Sequence, residues 1–338
     1  MPILDCTAPG ALDSAAGQAA AQLAAGEAVA LPTETVYGLA ADPAQPAAIR
    51  RLFALKERPA AHALPILVAD AAAAAHFAAS VPPAAQRLMA AFWPGPLTLV
   101  LPRRAGVAEE AAGAQPTIAL RSPAHPAAQR LLAACAARGI AGLASPSANR
   151  FGRASSTCAA HVIDEFGEAL LVLDGGACPV GIESSIVECT RTPLVLLRPG
   201  ALAREAIERT AGAALIGRDA LPKTAEQEAQ EALGHYAPRA KLRLMGAKML
   251  KTALQVLGSG ARTIAVWAGD EVLGSADAGS ALVLRRMPAD AAEAARELFA
   301  VLHSFDAAGV KLIWVQEPPE GSAWDAVRDR LHRAAAAQ

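Results

Sequence analysis

The stretch most informative about fold and site is Gly142-Leu143-Ala144-Ser145-Pro146-Ser147-Ala148-Asn149-Arg150-Phe151-Gly152-Arg153-Ala154-Ser155-Ser156-Thr157. It begins in an apolar run, residues 139–144, that predicts a buried strand, and it then brings together hydroxyls, an amide and two guanidinium groups. A loop at the end of a strand can turn such groups, and free backbone N–H groups, towards one phosphate. The stretch therefore predicts either a site for a small polyanion or an ordinary turn-rich loop with a helix cap at Thr157.

Length and composition indicate a globular chain that is long enough for two domains. Its 338 residues are 53% hydrophobic but only 4% aromatic, so we expect cores built from alanine and other small side chains. The 31 basic and 32 acidic residues give a net charge of −1, which provides no overall electrostatic argument for binding nucleic acid or a membrane. The five scattered cysteines fit reduced thiols, and no signal peptide or membrane-spanning run is evident, so we predict a cytoplasmic protein without membrane association.

The pattern along the chain predicts two α/β domains joined by a linker. Over residues 1–214, strands mix with helices, and three strands near 170–198 follow one another directly, which predicts a twisted mixed sheet rather than a regular βαβ series. Residues 215–239 have little apolar periodicity and are predicted to be the linker. Residues 240–338 alternate short apolar runs with amphipathic helices, which predicts a smaller α/β domain.

Four cations stand where helices or strands are predicted to end. Pro59 disfavours helix at Arg58, so Lys56 and Arg58 can both turn towards one site, or they can be solvated cations at a helix C-terminus. Arg121 and Arg198 each end an apolar strand, where an unpaired guanidinium is costly. We therefore expect each arginine to have a partner, which is either a ligand carboxylate or phosphate or an internal acidic side chain.

Several common catalytic arrangements do not occur in the sequence. Neither His-Glu-x-x-His nor Cys-x-x-Cys occurs, which argues against a transition metal held by the protein, and Gly-x-Ser-x-Gly is also missing. The remaining groups are cations, hydroxyls and an amide, which position and neutralise rather than attack. They suit phosphoryl or nucleotidyl transfer, usually with Mg²⁺.

Five motifs, in this order, resemble those of the YrdC-like family, and the whole chain is similar to its long two-domain members, the L-threonylcarbamoyladenylate synthases. The motifs are Pro32-Thr33-Glu34-Thr35-Val36-Tyr37-Gly38-Leu39, Lys56-Glu57-Arg58-Pro59, Pro94-Gly95-Pro96-Leu97-Thr98, Ser145-Pro146-Ser147-Ala148-Asn149 and Gly181-Ile182-Glu183-Ser184-Ser185-Ile186-Val187. The resemblance implies a YrdC-like twisted mixed sheet with helices, a linker or lid, and a smaller Rossmann-like α/β domain.

The family's reaction joins L-threonine, bicarbonate and ATP into threonylcarbamoyl-AMP and pyrophosphate, for the modification of tRNA to threonylcarbamoyladenosine. The resemblance thus implies Mg²⁺ bound with ATP rather than by the protein alone. It also implies a downstream threonylcarbamoyl transferase that uses the product, and a possible contact with tRNA or double-stranded RNA.

The resemblance also implies roles for particular residues. The family signature is matched by four residues assigned to catalysis: Lys56, Arg58, Ser147 and Asn149. The implied threonine-binding residues are Thr35, Arg121, Ser145 and Ser184. The implied ATP-binding residues are Arg58, His62, Thr117, Ser147, Ser155, Arg198 and, from the linker, Tyr236.

The sequence departs from the family pattern at three places. His62 stands where relatives commonly have Asn, Leu67 where many have His, and residues 228–234 replace a Ser-Pro-Gly-type segment. Two other functions are compatible with a YrdC-like domain. One is an RNA-binding module without catalysis, against which the near-zero net charge argues. The other is a carbamoyltransferase of the hydrogenase-maturation type, whose zinc-finger-like cysteine spacing does not occur here.

Overall fold

The computed structural model describes residues 3–59, 62–222, 235–257, 263–274 and 282–337. The chain forms two compact units. The first comprises Met1–Phe151 and Ser155–Pro222, and the second comprises Gly152–Ala154 and Lys223–Gln338. Three residues of the stretch quoted first therefore belong to the second unit, although they lie far from the rest of it in the sequence.

The first unit contains two sheets and seven α-helices within the described residues. Its strands are β1 Ile3–Asp5, β2 Val29–Leu31, β3 Gly38–Ala40, β4 Ile66–Leu67, β5 Leu97–Pro102, β6 Thr117–Arg121, β7 Leu143–Ala144, β8 Leu171–Asp174, β9 Ser185–Glu188, β10 Leu194–Arg198 and β11 Leu215–Gly217. Its helices are α1 Ala11–Ala24, α2 Pro46–Lys56, α3 Ala71–Phe77, α4 Pro83–Phe92, α5 Pro126–Ala136, α6 Ala159–Phe166 and α7 Arg204–Ala211.

Both sheets of the first unit mix parallel and antiparallel pairs. One has the order β1-β8-β2-β3, and the other has the order β11-β10-β9-β5-β6-β4-β7. In the larger sheet, β5 runs parallel to β9 but antiparallel to β6, and β4 runs parallel to β6 but antiparallel to β7. These pairings confirm the predicted mixed sheet. They also bring the ends of β6, β7 and β9, which carry predicted site residues, into one sheet.

The cores are built largely from small apolar side chains, as the composition predicts. In one cluster, Ala19 and Leu23 of α1 are buried together with Ala128 and Leu131 of α5. Alanine on facing positions lets two helices approach closely, and each buried leucine contributes about 2 kcal/mol through removal of its side chain from water. This packing holds the sheets that carry the site.

The second unit contains a four-stranded parallel sheet. Its described elements are β12 Lys241–Met245, α8 Ala247–Leu257, β13 Ile264–Ala268, α9 Asp270–Leu273, β14 Val283–Arg286, α10 Ala291–Ala307, β15 Leu312–Gln316 and α11 Asp325–Ala336. The strand order is β12-β15-β13-β14, with every pair parallel. Alternation of strands and helices produces this arrangement, and it agrees with the predicted α/β class.

Several predicted boundaries differ from the structure. Leu215–Gly217, predicted as the start of the linker, is a strand that pairs in parallel with β10. The strand predicted over 139–144 is only Leu143–Ala144, and the helix predicted from Thr157 begins at Ala159 with Cys158 at its N-cap position. Residues 223–234 of the predicted linker lie outside the described residues. Within the part of the chain that is described, no helix combines the length and apolar character needed to cross a membrane.

Candidate active site

The first and the fourth motif of the sequence lie side by side. Backbone N–H groups of Leu39 and Ala148 donate to the carbonyl oxygens of Pro146 and Tyr37, at 2.8 and 2.7 Å. Ser156, which lies farther along the loop, accepts a hydrogen bond from the backbone N–H of Tyr37 at 2.8 Å through its carbonyl oxygen. The turn between β2 and β3 and the loop after β7 are therefore one hydrogen-bonded unit.

Gly38 makes this close approach possible. A Cβ atom at Gly38 would lie 2.3 Å from the Oγ of Ser145, a distance at which one of the two must move. Ser145 is 8% exposed, and its Oγ has no hydrogen-bond partner among the described residues. A buried hydroxyl without a protein partner is costly, so it marks a position where a ligand oxygen or nitrogen can bind.

Lys56 is buried under the loop rather than exposed beside it. It is 2% exposed, and its Nζ donates to the carbonyl oxygens of Ser147 and Asn149, the latter at 2.5 Å. The backbone N–H of Phe151 in turn donates to Lys56 O at 2.7 Å. Burial, and secondarily the neighbouring Arg58, hold the pKa of Lys56 well below its ordinary 10.5. Lys56 thus fixes the backbone of the signature loop, whereas the sequence predicted a cation that either turns towards a ligand site or is solvated at a helix C-terminus.

Arg58 points to a different place from Lys56. Helix α2 ends at Lys56 because Glu57 adopts a left-handed conformation with φ of 53°. The Arg58 guanidinium then lies 6.0 Å from the centre of the Phe151 ring, and its NH2 donates to Ala63 O at 3.0 Å. The His62 ring contacts the same phenyl ring at a centroid distance of 5.3 Å, and burial lowers the pKa of His62. Phe151 therefore brings together two residues predicted for the ATP site.

Arg121 has an internal acidic partner, Glu34, which the sequence analysis did not place in the site. Arg121 NH2 lies 2.7 Å from Glu34 Oε1, and both residues are 7% exposed. The NH1 of Arg121 donates to Thr35 Oγ1 at 2.8 Å, while Ala124 N donates to Glu34 Oε2 at 2.9 Å. The sequence feature that could have identified Glu34 as a site residue is the concentration of polar residues after β2.

A second hydroxyl and cation pair lies at the start of β9. Ser184 Oγ is 2.7 Å from Thr98 Oγ1, and Arg198 donates to the Ser184 carbonyl oxygen through Nε and NH2 at 3.2 and 2.9 Å. Next to Ser184, the carboxylate of Glu183 accepts a hydrogen bond of 2.5 Å from Ser155 Oγ. The structure thus joins residues predicted for threonine with residues predicted for ATP.

The two remaining predicted ATP residues lie on other elements of the described structure. Thr117 is half-buried at the start of β6, opposite Pro102. Tyr236 belongs to the second unit, where its ring lies 5.7 Å from that of Phe299 and 5.2 Å from the Arg330 guanidinium. The role of each in ATP binding stays a prediction.

Three of the cysteines are buried thiols that are not activated as nucleophiles. All five are free thiols. Burial raises the pKa of Cys135, Cys178 and Cys189 to about 12, so these thiols stay protonated at neutral pH. Across the described residues, no three His, Cys, Asp or Glu side chains are arranged to hold a metal ion. The assembled groups are hydroxyls, guanidinium groups and carboxylates suited to binding and orienting polar substrates.

Two family models match adjacent parts of the chain. The Sua5/YciO/YrdC model, whose description is "Telomere recombination", matches residues 21–200. The model described as "Threonylcarbamoyl-AMP synthase, C-terminal domain" matches residues 202–336.

Individual proteins are similar over nearly the whole chain. The threonylcarbamoyl-AMP synthase of Pyrococcus abyssi is 35% identical over 91% of this chain and 90% of its own length. That of Bacillus subtilis is 33% identical over 96% of this chain and 93% of its own. The crystal structure of P. abyssi Sua5 complexed with L-threonine has a TM-score of 0.86 and 31% identity, and the match covers 100% of this chain and 98% of that one.

The fold and site together define a two-unit α/β protein with a YrdC-like site at its N-terminal unit. The chain belongs to the Sua5/YciO/YrdC family, and specifically to its threonylcarbamoyl-AMP synthases with a Sua5-type C-terminal domain. The resemblance that the five motifs indicated is thereby confirmed.

Proposed function

We propose that the chain makes threonylcarbamoyl-AMP and pyrophosphate from L-threonine, bicarbonate and ATP. The observation that carries the proposal is the full-length match to P. abyssi Sua5, a protein whose structure was determined with L-threonine. In the proposed reaction, the threonine amine and bicarbonate give a carbamate and water. A carbamate oxygen then attacks the α-phosphate of ATP, and pyrophosphate leaves.

Buried polar groups near Arg121 support threonine binding. The guanidinium is held in place by Glu34 and Thr35, and it is the partner we propose for the threonine carboxylate. The Ser145 hydroxyl, buried and without a protein partner in the described structure, would bind another polar atom of the amino acid. The polar cluster therefore suits a small amino acid whose polar groups are close together.

The loop that Lys56 holds supports nucleotide binding. Lys56 fixes the carbonyl groups of Ser147 and Asn149, so the loop's remaining polar groups are positioned before the substrate binds. Arg58 would bind the phosphates and neutralise charge that develops when pyrophosphate leaves. The proposed magnesium ion would arrive bound to ATP, and Arg58 and the loop hydroxyls would bind phosphate oxygens. When bound, Mg²⁺ neutralises phosphate charge.

The product itself tests the proposal. The purified chain is incubated with ATP, Mg²⁺, ¹³C-bicarbonate and L-threonine, and a labelled threonylcarbamoyl-AMP is sought by mass spectrometry. Arg58→Met should reduce product formation at least about 100-fold. Arg50→Met, a matched change in helix α2 at an exposed ion pair with Glu110, should retain it. Failure of the wild-type chain to form the labelled product, with the fold intact, would overturn the proposed function.

A further inference from the structure

Asp306 occupies a position that its own helix disfavours. It lies in the last turn of α10, Ala291–Ala307, where the partial negative charge of the helix end opposes a carboxylate. Its side chain is nevertheless only 10% exposed. Contacts with other groups must therefore offset both the repulsion and the loss of water.

Those contacts join two separate segments of the chain. The backbone N–H of Arg239 lies 2.9 and 2.8 Å from the two carboxylate oxygens of Asp306, and the N–H of Ala240 donates to Oδ1 at 3.1 Å. The NH2 of Arg153 lies 3.5 Å from Oδ2. One carboxylate thus binds the segment just before β12 and the segment 152–154, all within the second unit.

Backbone hydrogen bonds connect the same two segments. Ala237 N donates to Gly152 O at 2.8 Å, and Ala154 N donates to Ala237 O at 3.1 Å. Residues 152–154 are consequently held by strand-like pairing with Ala237 and by the carboxylate of Asp306. We call this set of contacts the Asp306 clip.

The residues on both sides of the clipped segment belong to the first unit and to the site. Phe151 N donates to Lys56 O, and Ser155 Oγ donates to Glu183 Oε1. Three residues reach at most about 10 Å, which limits how far residues 152–154 can move without Phe151 or Ser155. Covalent continuity therefore transmits the position of the clipped segment to the loop that carries Ser147, Asn149 and Ser155.

We propose that Asp306 is a positioning residue for the nucleotide site. It holds residues 152–154 through Arg153 and the post-linker backbone, and thereby sets the position of the loop predicted to bind ATP. This role rests on the proposed function. Threonine should be less affected, because its predicted residues are held by contacts that do not involve residues 152–154. Arg121 is held by Glu34 and Thr35, and the backbone N–H of Ser145 donates to Pro65 O at 2.8 Å.

The test compares Asp306→Ala, Asp306→Asn and the control Asp270→Ala. Asp270 also lies in the second unit, but its ion pair with Arg286 is exposed. ATP affinity is measured by calorimetry with Mg²⁺, and KM and kcat are measured by pyrophosphate release. Asp306→Ala should weaken ATP binding at least fivefold while the KM for threonine changes less than twofold. Asp306→Asn, which keeps an acceptor for the backbone N–H groups, should recover part of the affinity, and Asp270→Ala should match the wild type.

Equal ATP affinity in folded Asp306→Ala and the wild type would overturn the role of Asp306, as would equal increases in both KM values. If Asp306→Ala does not fold, the ATP affinity of Arg153→Met tests the proposal instead. We expect this variant to lose ATP affinity two- to threefold. Unchanged affinity in that variant contradicts the proposal. A wild-type chain that binds ATP without releasing pyrophosphate overturns the proposed function alone, because the affinity comparison still applies. A wild-type chain that does not bind ATP overturns both.

Discussion

The guanidinium NH2 of Arg121 lies 2.7 Å from the Oε1 of Glu34, and both side chains are less than a tenth exposed. Two charges removed from water stabilise the fold only through each other and their hydrogen-bond partners. The pair therefore holds the turn after β2 and the end of β6 together, and it fixes the cation that we propose for the threonine carboxylate. Arg121 should therefore contribute to stability as well as to the proposed site.

Arg121→Met should destabilise the protein strongly, because the Glu34 carboxylate would be left buried without its cation. We expect the free energy of unfolding in urea to fall by about 3 kcal/mol or more. Arg50→Met removes the arginine of an exposed pair, with side chains 62% and 42% exposed, and should cost less than about 1 kcal/mol. Losses of similar size in the two variants would contradict this account of the buried pair.

Gly38→Ala should force the β2–β3 turn away from the signature loop. Its new Cβ would meet Ser145 Oγ at 2.3 Å, while the next atoms lie at an ordinary 3.4 Å. We expect a loss of about 1–3 kcal/mol in unfolding free energy and a raised KM for threonine. Removing the hydroxyl should relieve the clash, so Gly38→Ala should cost at least about 1 kcal/mol less in a Ser145→Ala background. A cycle of single and double variants with purely additive unfolding free energies would show that the clash does not occur.

His125 should make stability depend on pH below about 6.5. Its Nδ1 accepts the backbone N–H of Ala127 at 3.1 Å and so caps α5, which requires the neutral ring. Burial lowers the pKa of His125 below its ordinary 6.5, although hydrogen bonding at Gly175 and the charge of Glu34 oppose the shift. As the pH falls below about 6.5, His125 takes up a proton in the unfolded chain before it does so in the folded chain. The folded state therefore loses stability between about pH 6.5 and the lower pKa that His125 has in the folded state.

His125→Asn keeps a capping acceptor but removes the titration. Compared with the wild type, this variant should lose less stability between pH 7 and pH 5, as measured by urea unfolding at each pH. Identical losses in the two proteins would exclude a contribution from His125.

The family, the mixed sheet and the α/β second unit could be predicted because they depend on ordered local motifs and apolar patterns. The burial of Lys56 could not, because sequence spacing does not show that a lysine side chain turns back beneath a loop to bind two carbonyl groups. The partner of Arg121 was open for the same reason: an internal carboxylate and a ligand carboxylate satisfy a guanidinium equally well.

The grouping of residues 152–154 with the second unit was also beyond prediction from sequence. Residues 152–154 pair with Ala237, a contact between distant parts of the chain that leaves no local pattern. Leu215–Gly217 was assigned to the linker because three residues are too short a run to establish strand periodicity, and only its pairing with β10 defines it.

The most direct test of the central claim is pyrophosphate release from ATP, measured with Mg²⁺ and bicarbonate in the presence of L-threonine, of L-serine or of no amino acid. We expect release that requires threonine and bicarbonate and is weaker with serine, because serine has the same polar groups but lacks the threonine methyl group, whose burial is worth about 1–3 kcal/mol. Release at the same rate without threonine, or no release from a correctly folded chain, would contradict it.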